Sequence, residues 1–281
     1  MYPGVPKTFL EKIGSGPEGE PASEAYCAGF ELEEWRCDAL ADHLIEWIAD
    51  FALWGDELEV DHTTMYQKLR EAAARIYSSE KYETRGEVGE LLLHAICRNF
   101  FGTISIAPRL FHKTASNDIV KSFDLIHARH YDEQFEIWLG EAKFYQNSLS
   151  AVKAAVASVE EHITADFLKN EKLLIAPQIP RDVPRSAELR ELLISRTSLD
   201  KLFETAVFPI CIAAESDSLS LAKTSDETYR GSILLELENL RKVALNSSLA
   251  EKIRVVLLYV PLKSKLSLAT AFHTRLKGLK P

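Results

Sequence analysis

Three side chains between Phe123 and Tyr145 are spaced for phosphodiester chemistry: Asp124, Glu141 and Lys143. The stretch reads Phe-Asp-Leu-Ile-His, then polar residues, then Phe-Glu-Ile-Trp-Leu-Gly-Glu-Ala-Lys-Phe-Tyr. Phe135, Ile137 and Leu139 recur with the period of a strand, and the same period carries Glu141 and Lys143 onto one face. Residues 123–126 predict an earlier strand, and the polar residues 128–134 predict the turn of a hairpin that sets Asp124 beside Glu141. Two carboxylates suit a hard divalent cation, Mg2+ or Mn2+, which keeps water and takes phosphate oxygens in its other positions. The Ala142 carbonyl is a candidate further ligand. A lysine two residues beyond such a glutamate orients or deprotonates the attacking water, or offsets charge developing on phosphorus.

Glu and Lys are abundant, so the triplet alone says little. Here it is the one Glu-x-Lys or Asp-x-Lys in the chain, it ends an apolar strand, and an aspartate lies at hairpin distance. Upstream, residues 85–100 have helical spacing, with Val88, Leu91, Leu92, Ala95 and Ile96 as an apolar stripe. Glu87, Glu90 and His94 share a bordering face, from which Glu90 reaches toward a metal at the sheet edge. The plain alternative is a solvated face whose first-turn glutamates are favoured by the helix dipole. Gly86 and Gly89, three apart, permit close approach of another backbone.

In this order the motifs resemble the PD-(D/E)xK nuclease core. Arg85-Gly86-Glu87-Val88-Gly89-Glu90, together with Leu139-Gly140-Glu141-Ala142-Lys143-Phe144-Tyr145, is similar to the HamA family, nuclease subunits of the Hachiman anti-phage defence system. The likeness runs from about residue 25 to the end. It implies a restriction-endonuclease-like α/β fold, a central mixed sheet flanked by helices, with an N-terminal helical extension. It also implies Asp124 and Glu141 as metal ligands, Lys143 as the catalytic lysine, Glu90 as the helix glutamate, DNA as substrate and a helicase partner, HamB. The proline of the core's name is absent, since Phe123 precedes Asp124, at a position often replaced.

The remaining sequence fits an enzyme of this kind. Its 281 residues, 46% hydrophobic, are enough for one large α/β domain or a core with an extension. We divide it into a helical region, residues 1–80, suited to partner docking, and a nuclease domain with a C-terminal α/β extension, residues 81–281. Helices are predicted over 34–54, 63–77, 149–167, 187–195, 227–245 and 266–276, and buried strands over 206–213 and 253–260. Pro177, Pro180 and Pro184 mark a stiff loop expected to border the groove. A leader and an apolar span of membrane-crossing length are both missing, which predicts a cytoplasmic protein off the membrane. Without a Gly-rich phosphate loop carrying lysine, nucleotide binding and any ATP-driven step fall to the partner. Cys27, Cys37, Cys97 and Cys211 lack zinc spacing and read as reduced thiols, and Trp35, Trp47 and Trp54 as packing groups.

The net charge of -9 is unfavourable for a polyanion ligand, but it is unevenly spread. Residues 1–80 carry a net -11 and residues 241–281 a net +8. This predicts a basic C-terminal face that neutralises phosphates and an acidic N-terminal part that meets a protein. His127 and His130 fall in or near the turn and are read as solvated, not catalytic. The sequence reading is therefore a Mg2+-dependent deoxyribonuclease, the effector of a defence complex with a helicase. Its rivals are a non-catalytic regulatory subunit that docks a helicase and an RNase on the same fold.

Overall fold

Continuous apolar runs such as those at 206–215 and 254–262 can be satisfied only between two other strands and under two layers of helices. The computed structural model describes residues 4–19, 21–76, 86–107, 122–132, 134–194, 196–249 and 251–279, and there these runs occupy the centre of a mixed sheet. Its strands are β1 (Glu11–Ser15), β2 (Ala22–Cys27), β5 (Ile104–Ser105), β6 (Leu125–Tyr131), β7 (Gln134–Asn147), β8 (Ala206–Glu215) and β9 (Arg254–Leu262). A separate small hairpin is formed by β3 (Phe30–Glu31) and β4 (Glu34–Trp35). Among the described residues the order across the large sheet is β1-β2-β9-β8-β7-β6-β5. Strands β2, β9, β8 and β7 are mutually parallel, while β1, β6 and β5 pair antiparallel at the flanks.

The helices are α1 (Cys37–Ala52), α2 (Met65–Ile76), α3 (Glu87–Phe101), α4 (Ser148–His162), α5 (Ala165–Ile175), α6 (Ser186–Leu193), α7 (Leu199–Thr205), α8 (Asp217–Leu221), α9 (Glu227–Leu245) and α10 (Lys265–Gly278). One sheet face is covered by α3, with α1 packed outside it against both α3 and α10; α4 and α9 cover the other face. This is the α/β arrangement that strand-helix alternation predicts. Leu40, Leu44, Trp47 and Ile48 of α1 are fully buried, each worth about 1.5–3 kcal/mol for an aliphatic side chain. Because α1 lies over it, α3 is buried all round from Val88 to Arg98 and has no solvated side.

Four local expectations change. Residues 128–131 and Gln134 are strand, with a turn at Asp132; Arg129 and Glu136 face each other across the strand pair 3.8 Å apart, and Asp132 takes φ 48°, which a short polar side chain tolerates. The helix expected over 149–167 breaks at Ile163 and Thr164, where Thr164 is extended (φ -63°, ψ 145°), so Phe167 belongs to α5. The helix expected from residue 34 starts at Cys37 because Glu34 and Trp35 pair with Phe30 and Glu31. Residues 1–80, read as a helical region, also supply β1 and β2 to the central sheet. Tyr77, Arg85, Glu133, Ser195 and Lys280, which figured in the sequence reading, lie outside the described residues. The four cysteines are free thiols, and among the described residues no helix is long and apolar enough to cross a membrane.

Candidate active site

Register brings the two carboxylates together. Leu125 pairs with Gly140, so the residue before it, Asp124, arrives opposite Glu141. The Asp124 N–H donates to the Gly140 carbonyl at 2.9 Å, and its Oδ2 accepts the Ala142 N–H at 2.9 Å. Strand β6 stops here while β7 runs on to Asn147. The Asp124 side chain takes over the pairing that the strand gives up. A strand residue points its N–H and C=O to the same edge, so the Ala142 carbonyl emerges on Asp124's side.

Alternation then sorts the faces. A Cβ placed on Gly140 would lie 2.9 Å from Leu93 Cδ2, so that residue faces α3. Glu141 and Lys143 point to the opposite face, under α4. There Lys143 Nζ donates to Glu141 Oε1 at 2.5 Å, and His162 Nδ1 lies 3.5 Å from Glu141 Oε2. Glu141 is 3% exposed and Lys143 20%, so the carboxylate is inside and the ammonium reaches outward. Burial and the charge of Asp124 push the Glu141 carboxyl up to about 7, against the pull of Lys143 and the Ser158 hydroxyl.

Those observations fit a divalent cation. Among the described residues Glu141 Oε2 is a buried oxygen with no hydrogen bond of good geometry, beside the like charge of Asp124. Among the described residues no three His, Cys, Asp or Glu side chains form a metal cluster. The oxygens gathered here, from Asp124, Glu141 and the Ala142 carbonyl, would suit a hard ion that keeps water.

Glu90 lies on α3, across the sheet. Gly89 lets α3 lie against β7: its Cβ would sit 3.2 Å from Phe144 Cβ and 3.4 Å from Phe144 N. This is the close approach read from the sequence. Gly86 instead faces Glu90, its Cβ position 3.4 Å from Glu90 Oε1. Glu90 is 5% exposed, which removes the solvated-face alternative for that residue. Its helix covers the sheet face opposite His162, so Glu90 belongs to the other side of the sheet from Lys143.

Other expectations are corrected. His127 is not a solvated turn residue: it is 2% exposed within β6, where its Nδ1 meets Thr103 Oγ1 at 2.8 Å and its Nε2 meets His94 Nδ1 at 3.2 Å. His94 Nε2 in turn contacts Asp50 at 2.7 Å, and Arg98 holds the same carboxylate at 2.9 Å. Burial, with the charges of His94 and Arg98, keeps His127 well below the ordinary histidine range. The network ties α1, α3 and β6 together, so His94, one turn beyond Glu90 on α3, is engaged in packing between elements. Arg185, next to Pro184, lines a cavity of about 520 Å³ with Phe135, Glu136 and Arg254, at the far end of β7 from Glu141.

Part of the basic charge of residues 241–281 is committed to internal pairs. Lys263 holds Glu34 at 2.8 Å, Arg275 holds Asp38 and Asp42, and Arg254 holds Glu136. The opposite charges of the two chain regions clasp each other. His162 was overlooked in the sequence. Its signal is position: it continues the buried stripe Ala151, Ala155, Val159 of the helix that follows the Glu-x-Lys strand, a place where a histidine faces the sheet.

Comparison with known proteins gives one match and one blank. Residues 5–276 match the protein-family model HamA. No curated protein matches the chain.

Proposed function

This chain belongs to the HamA family, a family of anti-phage defence proteins, and on that premise we propose that it is a metal-dependent deoxyribonuclease. In this reading it acts in the cytoplasm as the effector of a complex with a HamB-like helicase. The observation that carries it is Asp124 set across from Glu141 with the Lys143 ammonium 2.5 Å from that glutamate. Asp124, Glu141 and the Ala142 carbonyl would hold Mg2+ or Mn2+, which when bound supplies Lewis acidity toward a phosphate oxygen. Lys143, partly exposed beside them, orients the attacking water or offsets charge developing on phosphorus. Glu90 assists from the α3 side. Residues 1–80 serve partner docking and residues 81–281 hydrolysis, and the helicase supplies any ATP-driven step.

The test is cleavage of circular plasmid, linear duplex, single-stranded DNA and RNA by the full chain, with Mg2+, Mn2+ or EDTA. Glu141→Ala and Lys143→Ala run alongside. We expect DNA loss that requires metal and falls at least ~100-fold in each variant. Folded protein that cleaves nothing, alone or with the helicase and ATP, would favour the regulatory-subunit reading; cleavage of RNA alone would favour an RNase.

A further inference from the structure

The Lys143 ammonium holds one oxygen of Glu141 at 2.5 Å. The other, Oε2, points at an imidazole that no catalytic assignment uses. His162 is 4% exposed at the last turn of α4, with Nδ1 3.5 Å from that oxygen. Its ring is clamped: it stacks on Phe167 (4.5 Å between centroids, 19° between planes) and meets the edge of Phe123 at 5.1 Å and 72°. Phe123 is fully buried and immediately precedes Asp124. The break at Thr164 turns the chain so that His162 and Phe167 come from two helices and close on one aromatic cluster.

That arrangement joins both carboxylates to one support. Asp124 is anchored through Phe123, and Glu141 is faced by the imidazole that Phe123 holds in place. We propose that His162 is a positioning residue for Glu141: its Nδ1 side, fixed by Phe123 and Phe167, orients Oε2 for a divalent cation. The assignment rests on the metal reading given above. It follows a general pattern in which a group behind a ligand sets that ligand's orientation, and its removal weakens metal binding about 10- to 100-fold. A purely structural histidine would serve the aromatic stack alone, and phenylalanine would then replace it.

The discriminating experiment is Mn2+ binding by the full chain, followed by electron paramagnetic resonance, with the melting temperature measured on the same samples. His162→Phe keeps a ring in the stack and removes the nitrogen. His162→Asn places an amide near the Nδ1 position, and His162→Gln places it near Nε2. We expect His162→Phe to keep its melting temperature and bind Mn2+ about 10- to 100-fold more weakly, with Asn close to the unaltered chain and Gln as weak as Phe. Should the Phe variant fail to fold, the Asn and Gln pair decides, because only a role for Nδ1 ranks Asn above Gln. Unaltered Mn2+ affinity in His162→Phe, or equal affinity in Asn and Gln, overturns the assignment while leaving the metal site standing. No Mn2+ binding by the unaltered chain removes the metal reading itself, and this assignment with it.

Discussion

Glu171 is a further acid that the fold buries, and unlike Glu141 it has no cation among its described contacts. It is 3% exposed on α5, and its Oε2 accepts the Ser122 hydroxyl at 2.8 Å, two residues before Asp124. Burial pushes its carboxyl above the ordinary 4.5, with the Ser122 hydrogen bond pulling the other way. The folded chain therefore holds this proton to higher pH than the unfolded chain does. Stability from that proton is fully present below about pH 4.5 and is lost as pH rises through the raised value. Glu171→Gln should keep the Ser122 contact and remove the slope, raising the melting temperature at pH 8 by about 2–4 °C while changing little at pH 4. Melting curves across that range check it; a variant that follows the unaltered chain at every pH would contradict it. At this scale Asp124, Glu141 and Lys143 were legible because a hairpin joins them and period-two alternation is local. His162 and Glu171 were not, since each reaches the site from a helix whose break at Thr164 carries no Gly or Pro.

Elements meet the site through glycine. At Gly140 an added methyl would lie 2.9 Å from Leu93 of α3, 3.0 Å from Leu125 of β6 and 3.1 Å from Pro209 of β8. None of the three is the loose end of a flexible chain, so the methyl displaces packed elements. Gly140→Ala should cost about 1–3 kcal/mol, read from urea unfolding. Because Glu141 is the next residue, cleavage should fall with it, by more than the unfolded fraction explains. An alanine variant of unchanged stability would show that α3 is not held that tightly on the sheet. Gly89 was readable as a packing glycine because it recurs at helical spacing. Gly140 was not, since its neighbours come from three distant parts of the chain. Strand β2 was hidden for a related reason: Ala22-Ser-Glu-Ala-Tyr-Cys has no β-branched residue, and its strand geometry comes from pairing with β9.

Across the whole molecule, charge explains less about nucleic acid and more about closure. The acidic early region and the basic late region meet in pairs such as Lys263 with Glu34 and Arg275 with Asp38 and Asp42, which join α10 to the start of α1. These pairs sit at the surface, and such contacts are modest and screened by salt. Arg275→Ala should cost about 1 kcal/mol at low ionic strength and clearly less in 0.5 M NaCl, where the Debye length is only a few ångströms. Urea unfolding at the two salt concentrations checks this, and equal losses in both would point to packing by the arginine stem instead. The asymmetry of charge was plain in the sequence. Its use was not, because composition does not say which surfaces face each other.

One pairing also sets a clock. Residues Ala22–Ala25 lie beside Val256–Tyr259, so a nascent chain makes β2 long before the strand it needs exists. On the ribosome α1, with Leu40, Leu44, Trp47 and Ile48 bare of their final neighbours, must wait for α10 to emerge. The hairpin with the two carboxylates is local and is ready earlier. A chain abandoned part-way thus carries the acids but not the completed sheet beside them.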